Sequence, residues 1–542
     1  MTSGSSTKTT SASCDSSELP RWLQGPRGLI VVLLLAALTG SYCIGTPFSA
    51  GFRDCQTAMI ARNVWHDGWS GMLLPRIDFH GDQPGYMVQE FPLYAGIVAA
   101  LYALFGLHDW LGQVVSLAAA LGSVAFLYGI VRRLDGPRTA FAAGVLMALT
   151  PMQQIIGQSH LPDTVMMLLL PASLYAMTRY ALDGAGGWLA LATACEAGAV
   201  LVKGPAGLVL LLPLGFLAWT RHGWPMMRKP AVWLAVAVAL ATNWLWLKHA
   251  DRINAVYFPP FVSTSEFSVQ WFLGPLAMRW DWHFYARLAG RFFVYFSPVI
   301  ALAAFAALFR RPTEPRRWLF HIWFAANVVY MLVCANLFFA HKHYQVVFVP
   351  VAAALAARVA VASWARWRAM AVAAVVLLLA WDAGLGFRIW REQRDPLTER
   401  GAAALCEVSQ PQDLVLVAAF HTANGRTSNL WNVPNWLYMA HRRGWQAPLY
   451  EQFGLATVDE YRRKGARWLL MELVTAPEKS EAYQVGRGEA GWRRLLRLSG
   501  MAPEPTPQPD DRLLKLAAEL RARYRQVREG GGFVVFDLRG PS

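Results

Sequence analysis

Long apolar runs recur along this chain, and each is close to the length needed to cross a lipid bilayer. A hydrocarbon core of about 30 Å requires roughly twenty helical residues at about 1.5 Å per residue. Leu29 to Phe48 has this length and is predicted to be the first spanning helix. Further spans are predicted at 111–131, 139–156, 164–181, 187–202, 204–219, 231–247, 292–309, 318–338, 345–363 and 369–387. With 55% hydrophobic and 16% charged residues, the chain is predicted to be an α-helical polytopic membrane protein with about 11 to 13 transmembrane helices.

Lysine and arginine are concentrated in alternate loops between these runs, and this asymmetry predicts the orientation of the chain. The basic loops contain Arg132, Arg133 and Arg138; Arg221, Arg228 and Lys229; Arg310, Arg311, Arg316 and Arg317; and Arg366 and Arg368. By the positive-inside rule these loops face the cytoplasm, together with residues 1–27, a Ser/Thr-rich segment predicted to be a disordered cytoplasmic tail. Because these loops account for much of the net charge of +15, that charge does not require a nucleic-acid partner.

The run from Phe91 to Gly106 tests this topology, because counting it as a span would place the Arg132 and Arg133 loop outside. It has only sixteen residues, which is short for a crossing. We therefore predict a helix that lies in the outer interface, within the first outer loop.

Residues 388–542 are less apolar and fall outside the cytoplasm if the number of crossings is odd. They are predicted to form a small α/β domain in the periplasm. Its predicted strands are Asp413–Phe420, Arg467–Leu473 and Phe533–Leu538, its predicted helices are Val433–Arg443 and the amphipathic Asp511–Glu529, and Pro503–Pro509 is predicted to be a linker or loop.

Several common site types have no signature in the sequence. Six cysteines, Cys14, Cys43, Cys55, Cys195, Cys334 and Cys406, are scattered without a disulfide or metal-ligand spacing. There is no P-loop, no dinucleotide-binding fingerprint and no internal repeat. His341 and His343 form a His-x-His pair, but no third ligand lies nearby in the sequence, which argues against a metal there.

The polar segment from Phe52 to Pro92 stands out in a chain that is otherwise mostly apolar. Its ionisable residues include Arg53, Asp54, Arg62, Asp67, Arg76, Asp78, Asp82 and Glu90. So many charges beside a bilayer are expected only where they meet water or a polar substrate. The segment is therefore predicted to be the front wall of an active site.

Motifs in this segment and beyond it resemble those of a known class of membrane enzymes. They are Arg53–Asn63, Leu74–Asp78, Gly85-Tyr86, Glu90–Tyr94, Leu104–Gly106, Leu161–Thr164, Val202–Pro205 and His343–Pro350. In order and spacing they resemble the bacterial relatives of protein O-mannosyltransferases and the lipid A aminoarabinose transferases, which are GT-C membrane glycosyltransferases. The resemblance covers roughly residues 28–365, and residues 28–387 are expected to form a GT-C transmembrane catalytic domain.

This resemblance implies an inverting glycosyltransferase that uses a polyprenyl-phosphate-linked sugar as the donor. The acceptor would be a membrane lipid, a glycan or a protein on the outer face of a bacterial inner membrane, with the N-terminus in the cytoplasm. A divalent metal is neither required nor excluded as a cofactor. Such chemistry needs a carboxylate to take the proton of the acceptor and cations for the leaving phosphate.

Two carboxylates match the acidic positions of the family and are the expected catalytic residues. Asp54 follows the first predicted span. The alternative interpretation of Asp54 is an interfacial charge that pairs with Arg53 or Arg62. Asp163 follows Leu161-Pro162, and there it also has a structural explanation as a helix cap.

The donor phosphate is expected to contact cations and one phenol near the outer surface. The candidates are Lys203, Lys342, Tyr344, Arg287 and Arg291. Interfacial anchoring is the alternative explanation for Lys203 and for the Arg287 and Arg291 pair. The substrate pocket is expected to include Glu90, Tyr86, His343 and Glu196.

Two other functional classes remain compatible with the sequence. A transporter or flippase for a lipid-linked sugar would also carry intramembrane charges, although internal repeats would be expected. A noncatalytic subunit that binds polyprenyl lipids is the second alternative, and the presence of both Asp54 and Asp163 argues against it.

The predicted topology can be tested by the accessibility of single introduced cysteines. We expect labels at positions 81 and 424 to react from the periplasmic side, and the loop from Arg310 to Arg317 to be protected, because its arginines favour the cytoplasm. Opposite sides for positions 81 and 424 would show that the run from Phe91 to Gly106 crosses the membrane.

Overall fold

The computed structural model describes residues 20, 23–49, 51–257, 266–364, 368–392, 394–419, 434–448, 453–475 and 508–540. Most of these residues are helical. The helices are α1 Pro26–Thr39, α2 Phe52–Asp67, α3 Ser70–Leu73, α4 Leu93–Phe105, α5 Trp110–Leu134, α6 Pro137–Ala148, α7 Pro151–Gly157, α8 Asp163–Asp183, α9 Gly186–Val202, α10 Gly204–His222, α11 Pro230–Tyr257, α12 Glu266–Leu273, α13 Trp282–Tyr295, α14 Pro298–Leu308, α15 Leu319–Val333, α16 Ala335–Ala340, α17 Val349–Trp364, α18 Arg368–Glu392, α19 Pro396–Val408, α20 Asn435–Met439, α21 Leu455–Arg463 and α22 Asp511–Arg521. Short 3₁₀ turns occupy Trp224–Arg228, Leu276–Trp280, Pro315–Trp318 and Lys342–Phe348.

Several of these helices are long and apolar enough to cross a membrane. Within the described residues there are five by length and composition: α5, α8, α10, α11 and Lys342–Trp364, which joins a 3₁₀ turn to α17. The number rises to seven if each of two bent helix pairs is one span. Shorter apolar helices of 10 to 17 residues include α1, α4 and α9. The predicted class of a helical polytopic membrane protein with a small sheet domain is therefore confirmed, although fewer helices than the predicted eleven to thirteen meet the length criterion.

The first helix is shorter than predicted. It ends at Thr39 rather than Phe48, and the backbone at Cys43 is hydrogen-bonded by side chains of α5 and of the residue that follows α7. The N–H of Cys43 donates to Gln158, and its carbonyl accepts a hydrogen bond from Gln113 Nε2 at 3.1 Å. Because these backbone groups already have hydrogen-bond partners, they do not require the bonds that a longer helix would supply.

Two predicted single spans are bent. Helices α6 and α7 meet at 63°, and α13 and α14 meet at 117°. Ser297 lies at the second bend with a φ of 69°, and its side chain accepts a hydrogen bond from the N–H of Ile300. The span predicted at 292–309 is therefore wrong as a continuous helix.

The run from Phe91 to Gly106 forms α4, a helix of only 13 residues.

The C-terminal region contains a five-stranded mixed sheet with the order β2-β1-β3-β7-β6. Its strands are β1 Leu414–Ala419, β2 Arg443–Pro448, β3 Trp468–Glu472, β6 Arg525–Gly530 and β7 Phe533–Asp537, and a separate small ladder pairs β4 Val474–Thr475 with β5 Gln508–Pro509. β1 is parallel to β2 and β3, while β7 is antiparallel to β3 and β6. Strands β1, β3 and β7, which lie in the interior of the sheet, are almost entirely buried.

Three predicted strands are confirmed in this region, and two predicted helices are shorter than expected. The helix predicted over Val433–Arg443 covers only Asn435–Met439, and Arg443 begins β2. The helix predicted over Asp511–Glu529 ends at Arg521, and residues from Arg525 onward pair with β7. β6 is an edge strand without fully buried residues, and its sequence, with Arg525, Arg528 and Glu529, also resembles the polar face of an amphipathic helix. Most of the predicted Pro-rich loop and most of the predicted N-terminal tail lie outside the described residues.

Helix α2 lies between the membrane helices and the sheet domain. One face packs against α4, and Cys55, Ala58 and Met59 enter a buried core that also contains residues of α19, α20, β1 and β3. The loop after α2 also extends the sheet region, since Gly81 N–H donates to Gly444 at 2.7 Å. The two parts of the chain therefore share one apolar core around α2.

This shared core can be tested at Leu405, a fully buried residue of α19. Leu405→Ala should reduce the free energy of unfolding by about 2 to 5 kcal/mol, because it leaves a cavity in that core. Leu514→Ala on α22 is the matched control, since Leu514 is 39% exposed. Thermal unfolding of the full chain in detergent gives the comparison, and equal midpoints for the two variants would contradict the shared core.

Candidate active site

Asp54 lies in the first turn of α2, where the N–H groups of a helix favour a negative charge. Its Oδ1 accepts a hydrogen bond from the backbone N–H of His160 at 2.7 Å. Burial raises the pKa of Asp54 to about 6, and the His160 N–H and Arg53 oppose that rise. A Cβ atom at Gly51 would lie 2.4 Å from Asp54 Oδ2, so the glycine leaves room for this carboxylate. With this raised pKa, the Asp54 carboxylate can gain and lose a proton at a pH of about 6.

His160 completes the wall behind Asp54. Its ring is fully buried and lies 4.1 Å from the ring of Phe48, between centroids. Burial lowers the pKa of His160 to about 4, so the ring is neutral near pH 7. The residue contacts Asp54 through its backbone, and a Cβ atom at Gly112 would collide with its ring at 2.2 Å.

Asp163 and Lys203 form an ion pair that joins three membrane helices. Asp163 is the first residue of α8, and Lys203 lies at the break between α9 and α10. Lys203 Nζ is 3.2 Å from Asp163 Oδ2 and 4.8 Å from the centroid of the Tyr344 ring. The carboxylate of Asp163 is buried and also acts electrostatically on Asp54. The helix-cap role considered for Asp163 is replaced here by a side-chain contact with Lys203, since the structure shows no side-chain cap of α8.

Arg53 binds the segment that precedes α4. Its guanidinium forms an ion pair with Glu90 and donates to Gln89 Oε1 at 2.6 Å. This segment is also anchored to the membrane helices, because Phe91 N–H donates to Leu201 and Val88 N–H donates to Asn254 Oδ1, both at 3.1 Å. Glu90 is therefore held beside α2 and the end of α9.

The turn from His341 to Tyr344 supplies the remaining polar groups. The rings of His343 and Tyr344 are 4.7 Å apart, and those of His341 and Tyr344 are 5.9 Å apart. Burial and the charges of Arg291, Lys203 and Arg53 lower the pKa of His341 to about 4. Lys342 lies 5.3 Å from the centroid of the Tyr295 ring and acts electrostatically on His343.

Arg287 and Arg291 are buried on α13, and both contact the α16 segment. Arg291 donates to the carbonyls of Phe338 and Phe339 at 2.8 and 3.0 Å. Arg287 stacks on the Phe339 ring at 4.4 Å. These contacts give both arginines a structural function at the end of α16, next to His341.

Most of the predicted site residues come together where helices end. We use the term charged cluster for Arg53, Asp54, Glu90, Asp163, Lys203, His341, His343 and Tyr344. Lys203 interacts electrostatically with Asp163, Tyr344, Glu90 and Arg53, and Tyr344 with the same carboxylates. The cluster therefore combines two cations and three carboxylates with imidazole and phenol groups, next to Lys342 and Arg291.

Two predicted pocket residues have other surroundings. Tyr86 pairs with Arg76 across an antiparallel bridge and packs edge-on against the Tyr257 ring at 5.1 Å. Glu196 is buried on α9, opposite Ser173 of α8, where these two helices pack against each other. Glu196 lies seven residues before Lys203, a spacing that would place both on one side of a continuous helix, but Lys203 lies beyond the end of α9.

Sequence reasoning missed His160, Gln89 and the bridging function of Arg53. A signal for His160 was its position directly before the matched motif Leu161–Thr164. No local signal identifies Gln89, because its contact with Arg53 spans 36 residues of chain. Across the part of the chain that the structure describes, no three His, Cys, Asp or Glu residues form a group able to hold a metal ion.

Comparisons with known proteins identify the fold. A family model described as dolichyl-phosphate-mannose-protein mannosyltransferase matches residues 82–246. The structure of ArnT from Cupriavidus metallidurans bound to undecaprenyl phosphate superposes with a TM-score of 0.61 at 16% identity, over 94% of this chain and 97% of that one. The chain has the GT-C fold. The predicted resemblance to GT-C glycosyltransferases is thereby confirmed.

A second solved structure and one sequence relative are also similar to this chain. Archaeal oligosaccharyltransferase AglB from Archaeoglobus fulgidus, in complex with an inhibitory peptide and a dolichol-phosphate, has a TM-score of 0.54 at 11% identity, over 96% of this chain and 74% of that one. The putative mannosyltransferase YycA from Bacillus subtilis (strain 168) is 25% identical over 167 residues, which are 31% of this chain. The match spans only 23% of the length of YycA.

The ion pair of Asp163 and Lys203 can be tested by its effect on stability. Asp163→Asn should lower the free energy of unfolding by about 3 kcal/mol or more, because it leaves the Lys203 ammonium without its carboxylate. Asp183→Asn is the control at the other end of α8, where the pair with Arg179 is exposed and contributes little. Thermal unfolding in detergent measures both variants, and an unchanged midpoint for Asp163→Asn would exclude a stabilising pair.

Proposed function

We propose that this protein is an inverting glycosyltransferase that moves a sugar from a polyprenyl-phosphate donor to a lipid, glycan or protein acceptor. The observation that carries the proposal is the charged cluster, in which Asp54 lies close to Arg53 and to the pair of Asp163 and Lys203. The GT-C fold and the undecaprenyl phosphate bound to the similar ArnT structure support a lipid-linked donor.

The proposed reaction is a single displacement at the anomeric carbon. The acceptor oxygen forms a bond to that carbon while its proton passes to the Asp54 carboxylate. The bond from the anomeric carbon to the phosphate oxygen breaks, and its electron pair leaves with the polyprenyl phosphate. One displacement inverts the configuration at this carbon.

The cations of the site serve the leaving phosphate. Lys203 and Arg53 are held by Asp163 and Glu90, and Lys342 acts electrostatically on His343 of the same cluster. Charge-assisted hydrogen bonds from such groups stabilise developing negative charge in a site shielded from water. In this proposal Asp163 acts through Lys203 as a positioning residue, while Asp54 contacts the acceptor.

The direct test uses purified protein in nanodiscs, a panel of polyprenyl-phosphate sugars and a membrane extract. The expected result is a product whose mass exceeds that of one extract component by one sugar residue. Donor binding without any product would favour a noncatalytic lipid-binding subunit. Movement of the donor across vesicle membranes without transfer would favour a flippase.

The Asp54 carboxylate should control the rate and its pH dependence. Asp54→Asn should reduce transfer by about 10² to 10⁴-fold while donor binding persists, because the base is lost and the volume is kept. Since burial raises the pKa of Asp54 to about 6, the wild-type rate should rise with pH through about 6 and then level off. The residual rate of Asp54→Asn should lack this step.

Asp511→Asn is the matched control, because Asp511 is an exposed residue in the first turn of α22. It should retain the wild-type rate and pH profile. A fully active Asp54→Asn enzyme would remove Asp54 from the reaction. Loss of donor binding together with activity would place Asp54 on the phosphate side instead.

A further inference from the structure

A polar cavity of about 370 Å³ lies at the end of α2 that is opposite to Asp54. Asp67, the last residue of α2, is thirteen residues from Asp54, which is about 20 Å along a helix. The cavity is lined by Asp67, Ser70, Arg76, Asp82, Tyr86 and Arg443, among others. It is therefore separate from the charged cluster, although α2 connects the two.

The formal charges that line this cavity balance one another. Arg76 Nε lies 2.6 Å from Asp67 Oδ2, and Arg76 Nη1 lies 3.0 Å from Asp78 Oδ1. The other lining charges are Asp82 and Arg443, and Arg443 Nη2 lies 3.5 Å from the Asp82 carbonyl. Because the two guanidinium groups match the two lining carboxylates, a charged ligand finds no excess of opposite charge.

The lining groups instead suit a neutral ligand with many hydroxyl groups. Carboxylates accept hydrogen bonds from hydroxyl groups, guanidinium groups donate to their oxygen atoms, and Ser70 can do both. Tyr86 adds an aromatic ring to the wall, with an apolar surface for C–H groups. Pockets with a few converging polar groups fix the orientation of such ligands.

The two parts of the chain build the cavity together. Arg443 begins strand β2 of the sheet domain, while the other residues named above belong to α2, to α3 or to the loop after them. Gly81 N–H donates to Gly444 at 2.7 Å, and Gly444 N–H donates to Asp78 at 3.1 Å. The loop is thus held against the sheet domain, and the ion pair between Arg76 and Asp67 joins it to α2.

We propose that this cavity binds a neutral saccharide portion of the acceptor, about 20 Å from the carboxylate that receives its proton. This inference rests on the proposed function, because it assigns one end of an extended acceptor to the cavity and the other to Asp54. Helix α2 acts as a rigid spacer between the two sites, and the sheet domain contributes to acceptor recognition through Arg443.

The experiment compares two substitutions at Ser70, an exposed residue at the start of α3. Ser70→Trp fills the cavity with an indole ring, whereas Ser70→Ala loses the same hydroxyl but leaves the cavity open. A third variant, Asp82→Ala, removes a lining carboxylate at an exposed position. Thermal unfolding verifies that each full-length variant is folded in nanodiscs.

Binding is measured without turnover, by saturation-transfer NMR on the full chain. The probes are the oligosaccharides released from the membrane extract by mild acid, separated into a neutral and a phosphorylated fraction. Wild-type protein should bind the neutral fraction, and Ser70→Ala should bind it slightly more weakly because one hydroxyl is lost. Ser70→Trp should bind it about tenfold more weakly than Ser70→Ala, or worse. Asp82→Ala should be intermediate. In the transfer assay, Ser70→Trp should raise the KM for the acceptor and leave the KM for the donor unchanged.

The outcomes separate this inference from the proposed function. Absence of neutral oligosaccharide binding by the wild type, or equal binding by Ser70→Trp, overturns the cavity assignment. Preferred binding of the phosphorylated fraction that is lost in Ser70→Trp overturns the neutral ligand class. If no donor supports transfer but Ser70→Trp still abolishes oligosaccharide binding, the proposed function fails while the saccharide site stands.

Discussion

Charged groups that are buried beside membrane helices need partners, and the ion pair of Lys203 with Asp163 meets this requirement at the centre of the candidate active site. The pair joins the start of α8 to the break between α9 and α10. Arg53 and Glu90 form a second pair between α2 and the segment before α4. Leaving any one of these charges alone would cost several kcal/mol. The helix ends are therefore held together by the same groups that are proposed to meet the substrate.

Helix α2 transmits this arrangement to the rest of the chain. Its N-terminal turn carries Arg53 and Asp54, its middle enters a core shared with the sheet domain, and its last residue lines the polar cavity. Arg62 on the same helix binds Asp78 at 3.0 Å and lies 2.8 Å from His441 of the C-terminal region. Tyr438 also reaches the membrane part, since its hydroxyl donates to Asp109 at 2.7 Å. Through these contacts the sheet domain supports the helix that carries Asp54, although none of the residues of the charged cluster belongs to the sheet domain.

Local motifs were the most informative part of the sequence. Asp54, Asp163, Lys203 and Tyr344 all belong to motifs that resemble GT-C enzymes, and the structure brings these four side chains into one electrostatic network. Helix periodicity was less reliable near breaks. Glu196 was predicted to line the pocket, yet it faces Ser173 of α8, and Lys203, seven residues later, lies past the end of α9. Arg287 and Arg291 were both predicted to contact the donor phosphate, but no local pattern revealed their contacts with Phe339 and Phe338, which lie about fifty residues further along the chain.

The sequence by itself determined that lipid surrounds much of the chain and that the fold is that of a helical membrane protein. Apolar runs of bilayer length favour helices, because a helix satisfies its own backbone hydrogen bonds in lipid, and short continuous apolar runs predicted strands β1, β3 and β7. Only the tertiary structure decided where α1 stops, that Arg525 begins a strand, and that Gln89 and His160 contact Arg53 and Asp54. Each of these depends on a partner far along the chain: Gln158 for Cys43, β7 for β6, and segments 36 and 106 residues away for the site. Local propensity carries no information about such partners, because their contacts form only when the helices and the sheet domain have packed around α2.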